Sequence, residues 1–174
     1  MKHFILVLVS FMMFVNSAFA MTGIIPVQSV NGVQCGMSVN EVTSKWGAPL
    51  KEYYGSYYFK PGGLMGDFFY SDRFKVEYLN RIEIKNNPNI VVMPSGISVG
   101  MTRAEIKNKL GEPDEIIFKY YDDGNSAYGA DLLKYNTPDY VNFAELEGNQ
   151  MITIYINKDT NRVTEIHFYS VFRR

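Results

Sequence analysis

Polar and apolar positions along this chain follow two periods. Helical spacing occurs in two short segments. Val42 and Trp46 are apolar and four residues apart, as are Ile106 and Leu110, so each pair shares one helix face. Ser38 and Thr102 precede them as N-cap types, with Glu41 and Glu105 three residues on. That spacing encodes a capping box, in which cap and acid satisfy each other's backbone donors. Met37 and Met101 stand just before the caps, at hydrophobic-staple distance from Val42 and Ile106. Gly47 and Gly111 end the helices, and Pro49 and Pro113 two residues later block continuation. Alternating or aromatic stretches follow each helix and predict antiparallel strands. They are Leu50–Phe59, Asp67–Tyr70 and Phe74–Ile84, then Asp114–Tyr121, Leu132–Tyr135, Met151–Asn157 and Arg162–Val171. Lys158-Asp159-Thr160-Asn161 is a polar turn between two of them, and Asn80-Arg81 reads as its shorter counterpart.

The two helix segments are copies of one pattern. GMSVNEVTSKWGAP (36–49) and GMTRAEIKNKLGEP (100–113) lie 64 positions apart and agree at six of 14 places, where ordinary residue frequencies give about one. Helices this short are marginal alone, so each must lean on the strands after it. The expected fold is therefore α+β: two tandem repeats, each a short N-terminal helix followed by an antiparallel sheet. The expected boundaries are 1–20 for a leader, 21–90 for the first repeat and 91–174 for the second. The copies are expected to pack together, because about 65 residues bury only a modest core.

The start of the chain has a different character. Lys2 and His3 precede an apolar run from Phe4 to Val15, and Ala18-Phe19-Ala20 offers a small-x-small cleavage pattern. The run is shorter than the roughly 20 residues of a membrane span. Residues 1–20 therefore read as a signal peptide, and the product as a periplasmic or secreted protein with no membrane span after cleavage. Cys35 lies 15 residues past the predicted cut and lacks a lipobox, so it is not a lipidation site. A lone thiol in an oxidising compartment is either buried or paired between molecules, and burial is the expectation.

Composition narrows the function. The chain carries 17 Lys and Arg against 18 Asp and Glu, which does not suit a nucleic-acid binder. After the leader only Cys35 and His167 remain as soft ligands. That excludes a Cys/His zinc site and an intrachain disulfide, and no metal or cofactor site is expected.

The string Gly36-Met37-Ser38, Glu41-Val42, Trp46-Gly47-Ala48-Pro49, repeated as Gly100-Met101-Thr102, Glu105-Ile106, Leu110-Gly111-Glu112-Pro113, resembles a family pattern. It is similar to the BamE/SmpA outer-membrane assembly lipoproteins and the related β-lactamase-inhibitory-protein fold. The resemblance implies α+β modules, no catalysis and binding to another protein.

Aromatics are dense: 13 Tyr, 12 Phe and one Trp. Adjacent pairs such as Tyr53-Tyr54 and Tyr57-Tyr58 put rings on both faces of a strand. One face can be core, and the other needs cover. Tyr suits recognition because it buries a ring and keeps a hydroxyl at the rim. Tyr53, Tyr57, Phe69, Tyr120, Tyr121 and Tyr169 are therefore the candidate contacts to another envelope protein. Two alternatives stand beside this reading. One is a small-ligand or lipid binder using the aromatic surface. The other is an envelope hydrolase using His167 as a base with a carboxylate or with Cys35. Asp122, Asp123, Asn125 and Asp131 do not match a calcium loop and read as a polar hairpin.

Overall fold

A computed structural model describes residues 25–72, 75–122, 127–140 and 148–172. The predicted leader lies outside these residues. The elements are β1 (Ser29–Val30), α1 (Val39–Trp46), β2 (Lys51–Tyr53), β3 (Ser56–Phe59), β4 (Leu64–Ser71), β5 (Val76–Lys85), β6 (Val92–Met93), α2 (Arg103–Leu110), β7 (Glu115–Asp122), β8 (Ala127–Tyr140), β9 (Gly148–Asn157) and β10 (Arg162–Phe172).

Both capping boxes form. Ser38 Oγ accepts from the Glu41 amide, and Thr102 Oγ1 from the Glu105 amide, while each glutamate accepts from its cap's amide. Gly47 and Gly111 both take φ 81°, a region that favours glycine.

The strands do not divide as expected. All but β1 and β6 join one eight-stranded sheet in the order β2-β3-β4-β5-β10-β9-β8-β7. The expectation of two tandem repeats, each a helix with its own sheet, is overturned. The described residues are mostly β, with two eight-residue helices set against one eight-stranded antiparallel sheet. The physical reason lies at the centre. β5 and β10 pair antiparallel from Lys85↔Glu165 to Arg81↔Tyr169. Two separate sheets would each leave one of these strands as an edge with unpaired amides and carbonyls. The predicted boundary at residue 90 falls between β5 and β6, and β6 pairs back onto β1. Asn80-Arg81 is not a turn. It lies inside β5 at a bulge, where Asp67 faces Arg81 but Phe68 already faces Leu79.

Partners across a ladder share a face, so the register assigns two faces. One carries Leu64, Gly66, Leu79, Ile82, Ile84, Leu133, Tyr135, Ile152, Ile154, Ile156, Ile166 and Phe168. Val42 and Trp46 of α1 and Ile106 and Leu110 of α2 belong to the same buried cluster. Backbone bonds hold the helices there. Gly36 N donates to Leu79 O and Leu79 N to Met37 O, both at 2.7 Å. Gly100 N donates to Val163 O and Val163 N to Met101 O, both at 2.8 Å. The segment before α1 crosses this face too. Trp46 Nε1 donates to Val30 O at 2.9 Å, and the amide group of Gln150 accepts from Gln28 N at 2.7 Å and donates to Gln28 O at 3.0 Å. Each fully buried aliphatic side chain contributes about 1.5–3 kcal/mol, and this face holds nearly all of them. The opposite face has no helix among the described residues.

Candidate functional site on the helix-free face

At its centre, on β5 and β10, the helix-free face carries charged and aromatic residues in alternation with the core. On β5, Arg81, Glu83 and Lys85 alternate with Ile82 and Ile84. On β10, Glu165, His167 and Tyr169 alternate with Ile166 and Phe168. The β5–β10 register sets Glu83 opposite His167, Lys85 opposite Glu165 and Arg81 opposite Tyr169. β4 adds Asp67 beside Arg81, and β9 adds Thr153 and Tyr155 beside His167 and Glu165.

His167 is at the centre, with its side chain 7% exposed. Its Nε2 lies 3.1 Å from Glu165 Oε2 and 3.5 Å from Glu83 Oε2. Its Nδ1 is 2.9 Å from the Tyr169 hydroxyl, and the Tyr155 ring packs 4.5 Å away. In the neutral tautomer with the proton on Nε2, the ring donates to Glu165 and accepts from Tyr169. Lys85 Nζ holds the other Glu165 oxygen at 2.8 Å. Burial pushes the Glu165 carboxyl up. The hydrogen bonds from His167 and Lys85 and their charges outweigh that and hold it below the usual carboxylate range. Arg81 Nε lies 2.6 Å from Asp67 and its Nη2 3.8 Å from Glu83. Burial works against the Arg81 cation, but Asp67, Tyr169 and Glu83 keep it firmly protonated. Glu83, Glu165 and His167 each offer one ligand atom, all within 4.8 Å of one another.

Comparison with protein families, curated proteins and solved structures finds no match to this chain. The site is therefore read from its own geometry.

The predicted contact residues are split between the two faces. Tyr53, Phe69 and Tyr169 hold positions on the helix-free face, with Tyr53 and Phe69 62% and 55% exposed. Tyr57 faces Gly66 on the helix side and packs its ring 5.2 Å from Phe68. Tyr120 is exposed but faces Gly129 on that same helix-bearing side. Tyr121 takes the register position opposite Tyr128, and its side chain lies outside the described part. The six do not form one surface.

Of the catalytic alternative, the structure sets His167 beside the carboxylates of Glu165 and Glu83 but separates it from Cys35. Cys35 is buried against the helix-side core, while His167 is on the other face, so the two cannot pair. Burial pushes the Cys35 thiol up to about 12, only partly offset by hydrogen bonds with Ser170, Ile82 and Gln150. A thiol held in that state is a poor nucleophile. Both nitrogens of His167 are engaged. Of the predicted polar hairpin, Asp131 is paired with Arg103 and stands 3.9 Å from Lys158. The side chains of Asp122, Asp123 and Asn125 lie outside the described residues. Among the described residues, no helix is long and apolar enough to cross a membrane.

Sequence reasoning missed Asp67, Arg81, Glu83 and Lys85. The signal was present: Arg81-x-Glu83-x-Lys85 has the same period of two as Glu165-x-His167-x-Tyr169. Only the antiparallel register brings the two runs side by side.

Proposed function

We propose that this chain is an exported bacterial envelope protein that acts without catalysis, by binding another protein through the helix-free face of its sheet. One observation carries the reading. Tyr53 and Phe69 present rings to solvent on that face, on the β2–β4 side of the charged centre of Arg81, Glu83, Glu165 and His167, while α1, α2 and the core cover the middle of the other face. Aromatic residues and Arg are enriched at protein interfaces, where a few of them carry most of the binding energy. The Lys2-to-Ala20 pattern supports export. The likeness of the two helix motifs to assembly lipoproteins and inhibitory proteins supports binding over catalysis.

The test is cross-linking in the envelope of the host followed by mass spectrometry. The wild-type chain captures a defined partner. The Tyr53→Ala/Phe69→Ala double variant loses it, and Tyr120→Ala, altered on the opposite face, retains it. Capture that survives the double variant overturns the reading.

A further inference from the structure

We propose that Glu83, Glu165 and His167 bind a first-row divalent transition-metal ion on the helix-free face. Three observations converge. First, the ligand atoms are already gathered. Glu83 and His167 are register partners on adjacent strands, Glu165 is two positions before His167, and the three ligand atoms all lie within 4.8 Å of one another. Around a metal with bonds of about 2.0–2.2 Å, neighbouring ligand atoms sit about 3.4 Å apart. The separations of 3.1 and 3.5 Å from Nε2 to the two carboxylates approach that without backbone movement.

Second, the charges are arranged for a cation. Oε2 of Glu83 and Oε2 of Glu165 are both turned toward the same ring nitrogen, which carries at most one proton. Two cations flank these carboxylates. Lys85 takes the other oxygen of Glu165, and Arg81 is drawn to Asp67 and stands 3.8 Å from Glu83. The side chains of His167, Glu165 and Glu83 are 7%, 11% and 18% exposed, and shielding from water strengthens a carboxylate–metal attraction.

Third, the supporting contacts are those of a ligand shell. The Tyr169 hydroxyl meets Nδ1 at 2.9 Å, and it serves either tautomer: it donates when Nδ1 is bare and accepts when Nδ1 carries the proton. When Nε2 binds metal, the neutral imidazole carries its one proton on Nδ1 instead of Nε2, and Nδ1–H donates to Tyr169. Such contacts orient a ligating histidine and raise its basicity. Lys85 orients the Glu165 carboxylate through its other oxygen, Oε1, at 2.8 Å.

One imidazole and two carboxylates suit zinc, manganese or iron and do not favour magnesium or calcium, which take oxygen ligands. Zinc outranks manganese at such a site, so zinc is the probe. Three protein ligands leave a coordination position open for water or an incoming group.

Isothermal titration of the untagged, EDTA-stripped protein with Zn²⁺ tests this. One ion binds per chain, and binding weakens as the pH falls and protons compete for the ligands. Mg²⁺ binds at least about tenfold more weakly. His167→Gln and Glu83→Gln each weaken zinc binding about tenfold or more, and Asp159→Asn, on the β9–β10 turn, leaves it unchanged. Circular dichroism confirms that each variant is folded, and if His167→Gln is not, Glu83→Gln decides. Zinc binding equally strong in wild type and in a folded ligand variant overturns the proposal, as does no binding by wild type.

Discussion

Gly66 and Leu79 meet so closely across the β4–β5 region that a Cβ on Gly66 would stand 2.8 Å from Leu79 Cδ1. The same added atom would lie 3.6 Å from the Phe59 ring and 3.7 Å from the Trp46 indole. Trp46 and Phe59 pack edge to face at 5.0 Å above this spot. The glycine is thus the floor on which α1 sits, and its lack of a side chain sets how closely the helix approaches the sheet. Leu79 is fully buried, so it has little room to move aside. Gly66→Ala is expected to destabilise the fold by about 1–3 kcal/mol, the usual cost of overpacking a filled core. Urea unfolding followed by the fluorescence of Trp46 measures it. A variant as stable as wild type shows that Leu79 gives way freely.

The two capping boxes make a second prediction. Ser38 and Thr102 each accept from the amide of the glutamate three residues on, at 3.3 Å. Their own amides donate back to that glutamate at 2.8 and 2.7 Å. Ser38→Ala and Thr102→Ala should each cost about 1 kcal/mol. The boxes share no hydrogen-bond partner, so the double variant should lose the sum to within roughly 0.5 kcal/mol. Denaturation of the singles and the double checks this. A clear excess in the double would mean that the two helices are coupled through the core.

Cys35 is the basis of a third. It is 1% exposed, and burial pushes its thiol up to about 12. At pH 8 it should not react with an aromatic disulfide reagent in the folded protein, and one thiol per chain should appear in denaturant. Rapid labelling of the native protein would mean that the segment carrying Cys35 opens readily from the core.

What was legible in the sequence was local. The helices fall where the cap, staple and glycine stop place them, because those signals act within one or two turns. The tight turn at Tyr54 and Gly55, where φ is 48° and 78°, divides what reads as one aromatic stretch into β2 and β3. The sheet itself was not legible. Whether Arg81, Glu83 and Lys85 meet Glu165, His167 and Tyr169 depends on a pairing between strands about 80 residues apart. The duplicated helix motif pointed the wrong way here. Copies of a helix say nothing about where each copy's last strand finds its partner, and β5 found β10. The bulge opposite Asp67 and Phe68 likewise let a polar Asn80-Arg81 pair pass for a turn. Tyr57 and Tyr120 were grouped with Tyr53 because composition marks rings without assigning faces.

The centre of the helix-free face makes the fold sensitive to acid. Glu165 is held below its ordinary value of 4.5: burial opposes its charge, but hydrogen bonds from His167 and Lys85 and their charges prevail. A carboxyl with a depressed value in the folded state contributes stability that is fully present above its unfolded value. That stability is lost as the pH falls through the lower, folded value. The loss therefore falls below about pH 4.5, not near neutrality. Glu165→Gln removes the charge and with it this dependence. Wild type should lose more unfolding free energy than Glu165→Gln between pH 6 and pH 3, with the difference largest below the ordinary carboxylate value. Denaturant titrations of both proteins across that range, run with EDTA to keep metal out of the comparison, give the answer. Parallel pH profiles would mean that Lys85 and His167 do not favour the Glu165 carboxylate over its acid form.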